Sequence, residues 1–291
     1  MRLAAAALLV AALPALAQQA ATPRVAKDAE WSVRLPKQDT VVFRGALVSD
    51  GGNAGAFPGL YPAPNLAGLF AAVITHAVVA DSAQSRQRQQ AQDAADRVLT
   101  PYRAVLAGYR QQDLMQRALA KLPAGGPPRR IVPADDKPDG WVVDSVPLFT
   151  MTQDQQAIIV DNAIAIHAPG GAADKPAYQN IIRVVSQPHG QDNPDAYWNA
   201  DDGAALKNES ALLLALSFEV VRVDAAALAA EGAPHRTFRY AEGLSQRIER
   251  AQLVNEQCNR IVIRNLRGWL MSVPAPQASG ACPPAADASK P

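Results

Sequence analysis

The sequence predicts an α+β fold: a mainly antiparallel sheet, a meander plus late hairpins, covered by a helical layer from the middle of the chain. Three observations predict it. Residues 65–122 read as helices, 141–186 hold three Val/Ile-dense runs with short connections, and 238–273 read as further strands. Of the 291 residues, 48% are apolar and 19% are charged, which excludes a disordered polyelectrolyte. A formal net charge of +1 gives no global attraction to nucleic acid, and none is expected as a partner.

The first residues predict export. Arg2 supplies a positive n-region, Leu3 to Leu13 an apolar h-region, and Ala15-Leu16-Ala17 a small-x-small cleavage site. Residues 1–17 are therefore expected to be a signal peptide, cut after Ala17, and the destination the periplasm. Residues 18–30 read as a disordered leader remnant, 31–273 as a single α+β domain, and 274–291 as a disordered Pro/Ala-rich tail. Cys258 and Cys282 are the two cysteines, and an oxidising compartment favours one disulfide pinning the tail to the last hairpin. Such a bridge stabilises by about 3 kcal/mol in the chain-entropy account.

Within the domain, Trp31–Leu35 and Thr40–Val48 alternate as short strands. Residues 51–80 carry no formal charge. Leu66–Ala80 is apolar on every face, so a buried helix is expected; about 15 residues fall short of the roughly 20 that span a bilayer. Thr100-Pro101 reads as an N-cap followed by proline at the first helical position, and Leu114, Ala118, Leu119 and Leu122 share a helical face.

The β-rich part runs over about 141–273. Its runs are Trp141–Met151, Ala157–His167 and Tyr178–Ser186, with Asp161-Asn162 as either a hairpin turn or a buried polar pair. Gln187–Gly203 reads as a polar loop, Ala204–Ala230 as a core-facing helix, and Phe238–Glu242, Arg247–Val254 and Arg260–Val273 as three strands.

The search for chemistry yields two weak binding surfaces. Asp192, Asp195, Asp201 and Asp202 gather near Tyr197 and Trp198, and acids beside aromatics suit calcium or a sugar, although turn and cap chemistry accounts for them too. Arg260 and Arg264 share one strand face in a cluster with Arg236, Arg239, Arg247, Arg250 and Arg267. That face suits an anionic lipid surface or an acidic envelope partner. Glu242, Glu249 and Glu256 are interleaved, so cross-strand ion pairs are the competing expectation.

No HExxH, GxSxG, SxxK or phosphate-loop pattern occurs, so no catalytic residue, metal or cofactor is assigned. The expected function is that of an exported non-enzymatic envelope protein binding a partner or an anionic surface. A periplasmic hydrolase would need Asp161, a histidine and the acidic loop to converge in one pocket. A membrane-inserting component would use the uncharged 51–80 stretch.

Overall fold

In the computed structural model, residues 25, 29–47, 83–123, 129–171, 175–227, 233–257 and 259–275 are described. The expected signal peptide (1–17), the apolar 66–80 segment, both cysteines and nearly all of the expected tail lie outside them.

The protein is α+β, built on a ten-stranded mixed sheet in which antiparallel pairs are the majority. The strands are β1 (Trp31–Arg34), β2 (Val42–Gly45), β3 (Arg129–Val132), β4 (Trp141–Met151), β5 (Ile158–His167), β6 (Tyr178–Val185), β7 (Arg236–Glu242), β8 (Ser245–Gln257), β9 (Arg260–Asn265) and β10 (Leu270–Pro274). They lie in the order β3-β1-β4-β5-β6-β10-β9-β8-β7, with β2 pairing beside β4. The ladders β4/β5, β5/β6, β7/β8, β8/β9 and β9/β10 are antiparallel. The joins made by β1, β2 and the β6/β10 contact are parallel.

Helices α1 (Ala83–Ala95), α2 (Arg103–Gly108) and α3 (Gln111–Ala120) come from the middle of the chain, with a 3-10 turn over Asp96–Tyr102 joining the first two. That turn runs through Thr100-Pro101, so the helix expected to start there begins later, at Arg103. The long α4 spans Pro194–Ala226 and breaks at Ala200–Gly203. It starts earlier than the polar loop suggested because Asn193 Oδ1 accepts from Ala196 N–H at 3.1 Å and Pro194 takes the first turn. Among the described residues no helix is long and apolar enough to cross a membrane.

Period-two alternation gives β5 two working faces. Ile158, Val160, Ile164 and Ile166 join Ile182 and Val184 of β6 in a core against α4 residues such as Leu213, Leu214 and Phe218. Asn162 points the same way: its Oδ1 accepts from Ser145 Oγ at 2.9 Å and its Nδ2 donates to Ser217 Oγ at 2.9 Å. Asp161-Asn162 is thus a buried polar pair in mid-strand and not a turn. The opposite face belongs to a second core, with Ile159, Val185, Phe238, Tyr240, Ile263 and Met271 drawn from β5 through β10. Strands β6-β10-β9-β8-β7 therefore curl into a roll whose last strand returns over β5 and β6.

Two sequence expectations differ in detail. Arg260–Val273 is two strands, not one, because Asn265 Oδ1 accepts from the N–H groups of Arg267 and Trp269 and folds a turn with Gly268 at φ +81°. The short β3 adds a strand that the Pro- and Gly-flanked sequence did not announce. Gly45 is required by close approach: a Cβ there would run into the Ala95 carbonyl, since β2 is laid against the end of α1.

Candidate functional site

The late hairpins carry seven of the chain's 21 arginines, and alternation sorts their charges. On β7, Phe238, Tyr240 and Glu242 are buried toward the roll, while Thr237 and Arg239 are exposed. The register pairs Arg239 with Ile248, Thr237 with Arg250 and Gln252 with Arg264, so these six residues share the outer face. Glu249 lies on the alternate, inward set of β8. Among the described residues, Arg239 and Arg250 have no carboxylate at ion-pair distance, and both are exposed. The expected cross-strand pairing forms inside the roll, where Arg247 Nε donates to Glu242 Oε1 at 3.0 Å. It does not neutralise the outer arginines.

This face runs into a cleft beside α4. Leu216, Val220 and Val223 of α4 face Val262 of β9 and Leu270 of β10 across a cavity of about 80 Å³. A β-bulge between Leu253 and Asn255 sets Val254 on the rim. Val223 and Val254 remain 50% and 41% exposed.

Arg260 lines this cleft. Its Nε donates to Ser272 Oγ at 3.0 Å, and its Nη2 donates to the carbonyls of Ser272 and Val185, both at 2.7 Å. No carboxylate reaches it at ion-pair distance among the described residues. Burial brings its pKa down to about 10, against the pull of Glu209. Glu209 is itself pushed up by burial, with Arg260 and Lys121 pulling the other way. A guanidinium held in a mostly buried site by neutral acceptors leaves room for an anionic partner. Arg264, on the same strand face, pairs with Asp224 of α4, which also accepts from the Tyr178 hydroxyl at 2.9 Å. The structure thus brings Arg260 and Arg264 to one site.

The acidic loop is distributed differently. Trp198 is fully buried and donates to Gln155 O at 2.8 Å; Asp195 accepts from the Tyr102 hydroxyl at 3.0 Å. The Tyr197 hydroxyl lies 3.3 Å from His189 Nδ1, and His189 packs its ring on Trp198. Asp201 and Asp202 take left-handed backbone at φ 51° and 56°, with Asp202 accepting from Lys207 Nζ at 2.7 Å, while Asp192 is exposed before the helix. Asp195, Tyr197, Trp198 and Asp202 thus each have a separate structural contact. Among the described residues, no three of His, Cys, Asp and Glu gather as a metal centre would.

Among the described residues a histidine meets the acidic loop, but Asp161 does not join them. Asp161 faces the roll interior, His189 lies against Tyr197 and Trp198, and His167 Nε2 sits 3.1 Å from Oδ2 of Asp144, whose two carboxylate oxygens each accept one hydrogen bond from Arg34. The sequence reading did not single out Arg183. A lone arginine inside Ile181-Ile182-Arg183-Val184-Val185 was the available signal, because a charge in a buried strand needs a partner.

No protein-family model, curated protein or solved structure matches the chain.

Proposed function

We propose that the chain is an exported, non-enzymatic cell-envelope protein that binds an acidic partner protein through the outer face of β7–β9 and the adjoining cleft. Its leader is removed after Ala17, its tail is tied by a Cys258–Cys282 bridge, and a meander with late hairpins lies under a helical layer. A single observation carries the binding reading: Glu242 is turned into the roll and Glu249 follows the inward alternation, so that, among the described residues, Arg239 and Arg250 have no carboxylate at ion-pair distance and are exposed.

The cleft supports a protein segment over a small metabolite. Small-molecule sites run to about 300–1,000 Å³. About 80 Å³ suits one aliphatic side chain, the size of an interface anchor. A carboxylate beside that anchor would meet Arg260, and further acids would lie along Arg264, Arg250 and Arg239. An anionic lipid surface is the second reading, favoured by Ile248 and Leu244, which are 45% and 75% exposed beside the arginines.

The test is a photo-crosslinking amino acid at Gln252 or Val254 in cells of the native host. The expected result is one discrete protein adduct, formed from both positions and lost in Arg239→Glu/Arg250→Glu. Adducts that ignore the charge reversal would overturn the reading, and adducts to lipid alone would replace it with the membrane-surface one. N-terminal sequencing should find Gln18 first, and denatured, unreduced protein should show no titratable thiol. An intact Met1, or two free thiols, would contradict those parts.

A further inference from the structure

The roll interior holds charges that the outer face does not use. Arg183 of β6 is 4% exposed, and its Nη1 lies 3.5 Å from Asp161 Oδ2 on β5. Its Nη2 lies 3.6 Å from Glu242 Oε2 on β7. Glu242 has a second cation in Arg247 of β8, whereas Asp161 has Arg183 alone among the described residues. Tyr240 of β7 and Glu249 of β8 also act on Arg183, and Arg267 acts on Glu249.

Five atoms here find no hydrogen-bond partner among the described residues: Asp161 Oδ1, Arg183 Nε and Nη1, the Tyr240 hydroxyl and Glu242 Oε2. One guanidinium is thus shared between two buried carboxylates, at distances too long for good hydrogen bonds to either. An ionised Asp161 in that setting is poorly compensated. A proton removes its charge, supplies an O–H donor to a region with unmet acceptors, and leaves Arg183 to Glu242.

We propose that this interior is a proton-binding centre, in which Asp161 takes up one proton as the medium passes from neutral to mildly acidic and the roll becomes more stable for it. Burial pushes Asp161 up to about 6, with Arg183 pulling down and Glu242 pushing up. The sign follows from linkage. The folded-state value lies above the unfolded one near 4, so the stabilisation is complete below about pH 4 and is lost as pH rises through about 6. Strand β10 divides this centre from the cleft: Leu270 lines the cleft, while Met271, paired in register with Arg183, faces the roll interior. The inference itself does not depend on what the cleft binds.

The experiment uses the mature protein labelled with carbon-13 at the aspartate carboxyl and followed by NMR from pH 4 to 8. One aspartate is expected to titrate with a midpoint near 6, to be missing in Asp161→Asn, and to move to lower pH in Glu242→Gln, where the like charge is gone. Melting temperature should fall by several degrees from pH 5 to 7.5. In Asp161→Asn that fall should shrink, and the variant should melt above the wild type at pH 7.5. Glu209 and Glu249 are raised by burial too, so the difference between wild type and variant is the readout. Should Asp161→Asn not fold, the wild-type titration and its displacement in Glu242→Gln decide alone. An Asp161 midpoint at the ordinary value near 4, or no aspartate titrating near 6, would overturn the proposal.

Discussion

Glu242 of β7 and Arg183 of β6 lie four places apart in the sheet order, yet their side chains meet at 3.6 Å. That contact exists only because the sheet curls back on itself. Alternation puts Glu242 on the face that the curl encloses and leaves Arg239 and Arg250 exposed on the other. Alternation and curl together thus create both a buried charge cluster and a cationic surface.

The curl is held at its tip by Asp154. Its Oδ2 accepts from Leu244 N–H at 2.7 Å, and its Oδ1 accepts from Thr152 Oγ1 at 2.6 Å and Gln156 N–H at 2.9 Å. Burial pushes this carboxyl up, but the Thr152 and backbone hydrogen bonds outweigh it and hold the pKa below the usual carboxylate range. A depressed value contributes stability above about pH 4 that is lost as pH falls further. Asp154→Asn should therefore flatten the acid limb of the stability curve between pH 5 and 3, and hydrogen exchange at Leu244 should quicken at neutral pH. An acid limb identical to that of the wild type would refute this role.

Asn162 is the polar tie between the sheet and α4. Replacing it with alanine removes two buried hydrogen bonds and strands the hydroxyl of Ser145, so a loss of about 2–3 kcal/mol is expected in urea unfolding. Ser217 donates to Leu214 O at 2.6 Å and keeps that bond. A loss under about 0.5 kcal/mol would show that water replaces the tie.

Much of this was legible in advance, and the exceptions are instructive. The strands β4, β5 and β6 stood out because long Val/Ile runs leave few alternatives to a buried sheet. Arg260 and Arg264 were correctly put on one face, since alternation needs no tertiary knowledge. The pairing of the late glutamates was not legible. Alternation alone keeps Glu242 off the face of Arg239, but that it meets Arg183 depends on the curl, a property of five strands together. The first turns of α4 hid for a local reason: Pro194–Asn199 lies in a polar run that reads as loop, whereas the helix resuming at Ala204 was legible from its leucines.

Gly45→Ala should cost more than a small surface change. The added methyl meets the backbone of Ala95, which cannot swing aside, at a place where Gly45 N–H also donates to Asp96 Oδ1 at 2.8 Å. A loss of about 1–3 kcal/mol is expected, with faster exchange in β2 and the end of α1. Unchanged stability would mean that α1 rides more freely on β2 than the geometry implies.

Arg260→Met tests whether the guanidinium is structural as well as functional. It leaves the carbonyls of Val185 and Ser272 without this donor, which should destabilise by about 1–3 kcal/mol. Arg239→Glu and Arg250→Glu, on an exposed face, should each change stability by less than about 0.5 kcal/mol. Equal losses at all three would place Arg239 and Arg250 in the fold rather than on a binding face.

The most direct test of the central claim is NMR chemical-shift mapping of the mature protein with poly-L-glutamate as a defined acidic probe at low salt. The account predicts perturbations gathered on the outer residues of β7–β9 and the cleft rim at Val223 and Val254, weakening steeply with salt and abolished by Arg239→Glu/Arg250→Glu. Perturbations spread equally over the exposed Arg97, Arg103 and Arg110, or unchanged by the charge reversal, would contradict it.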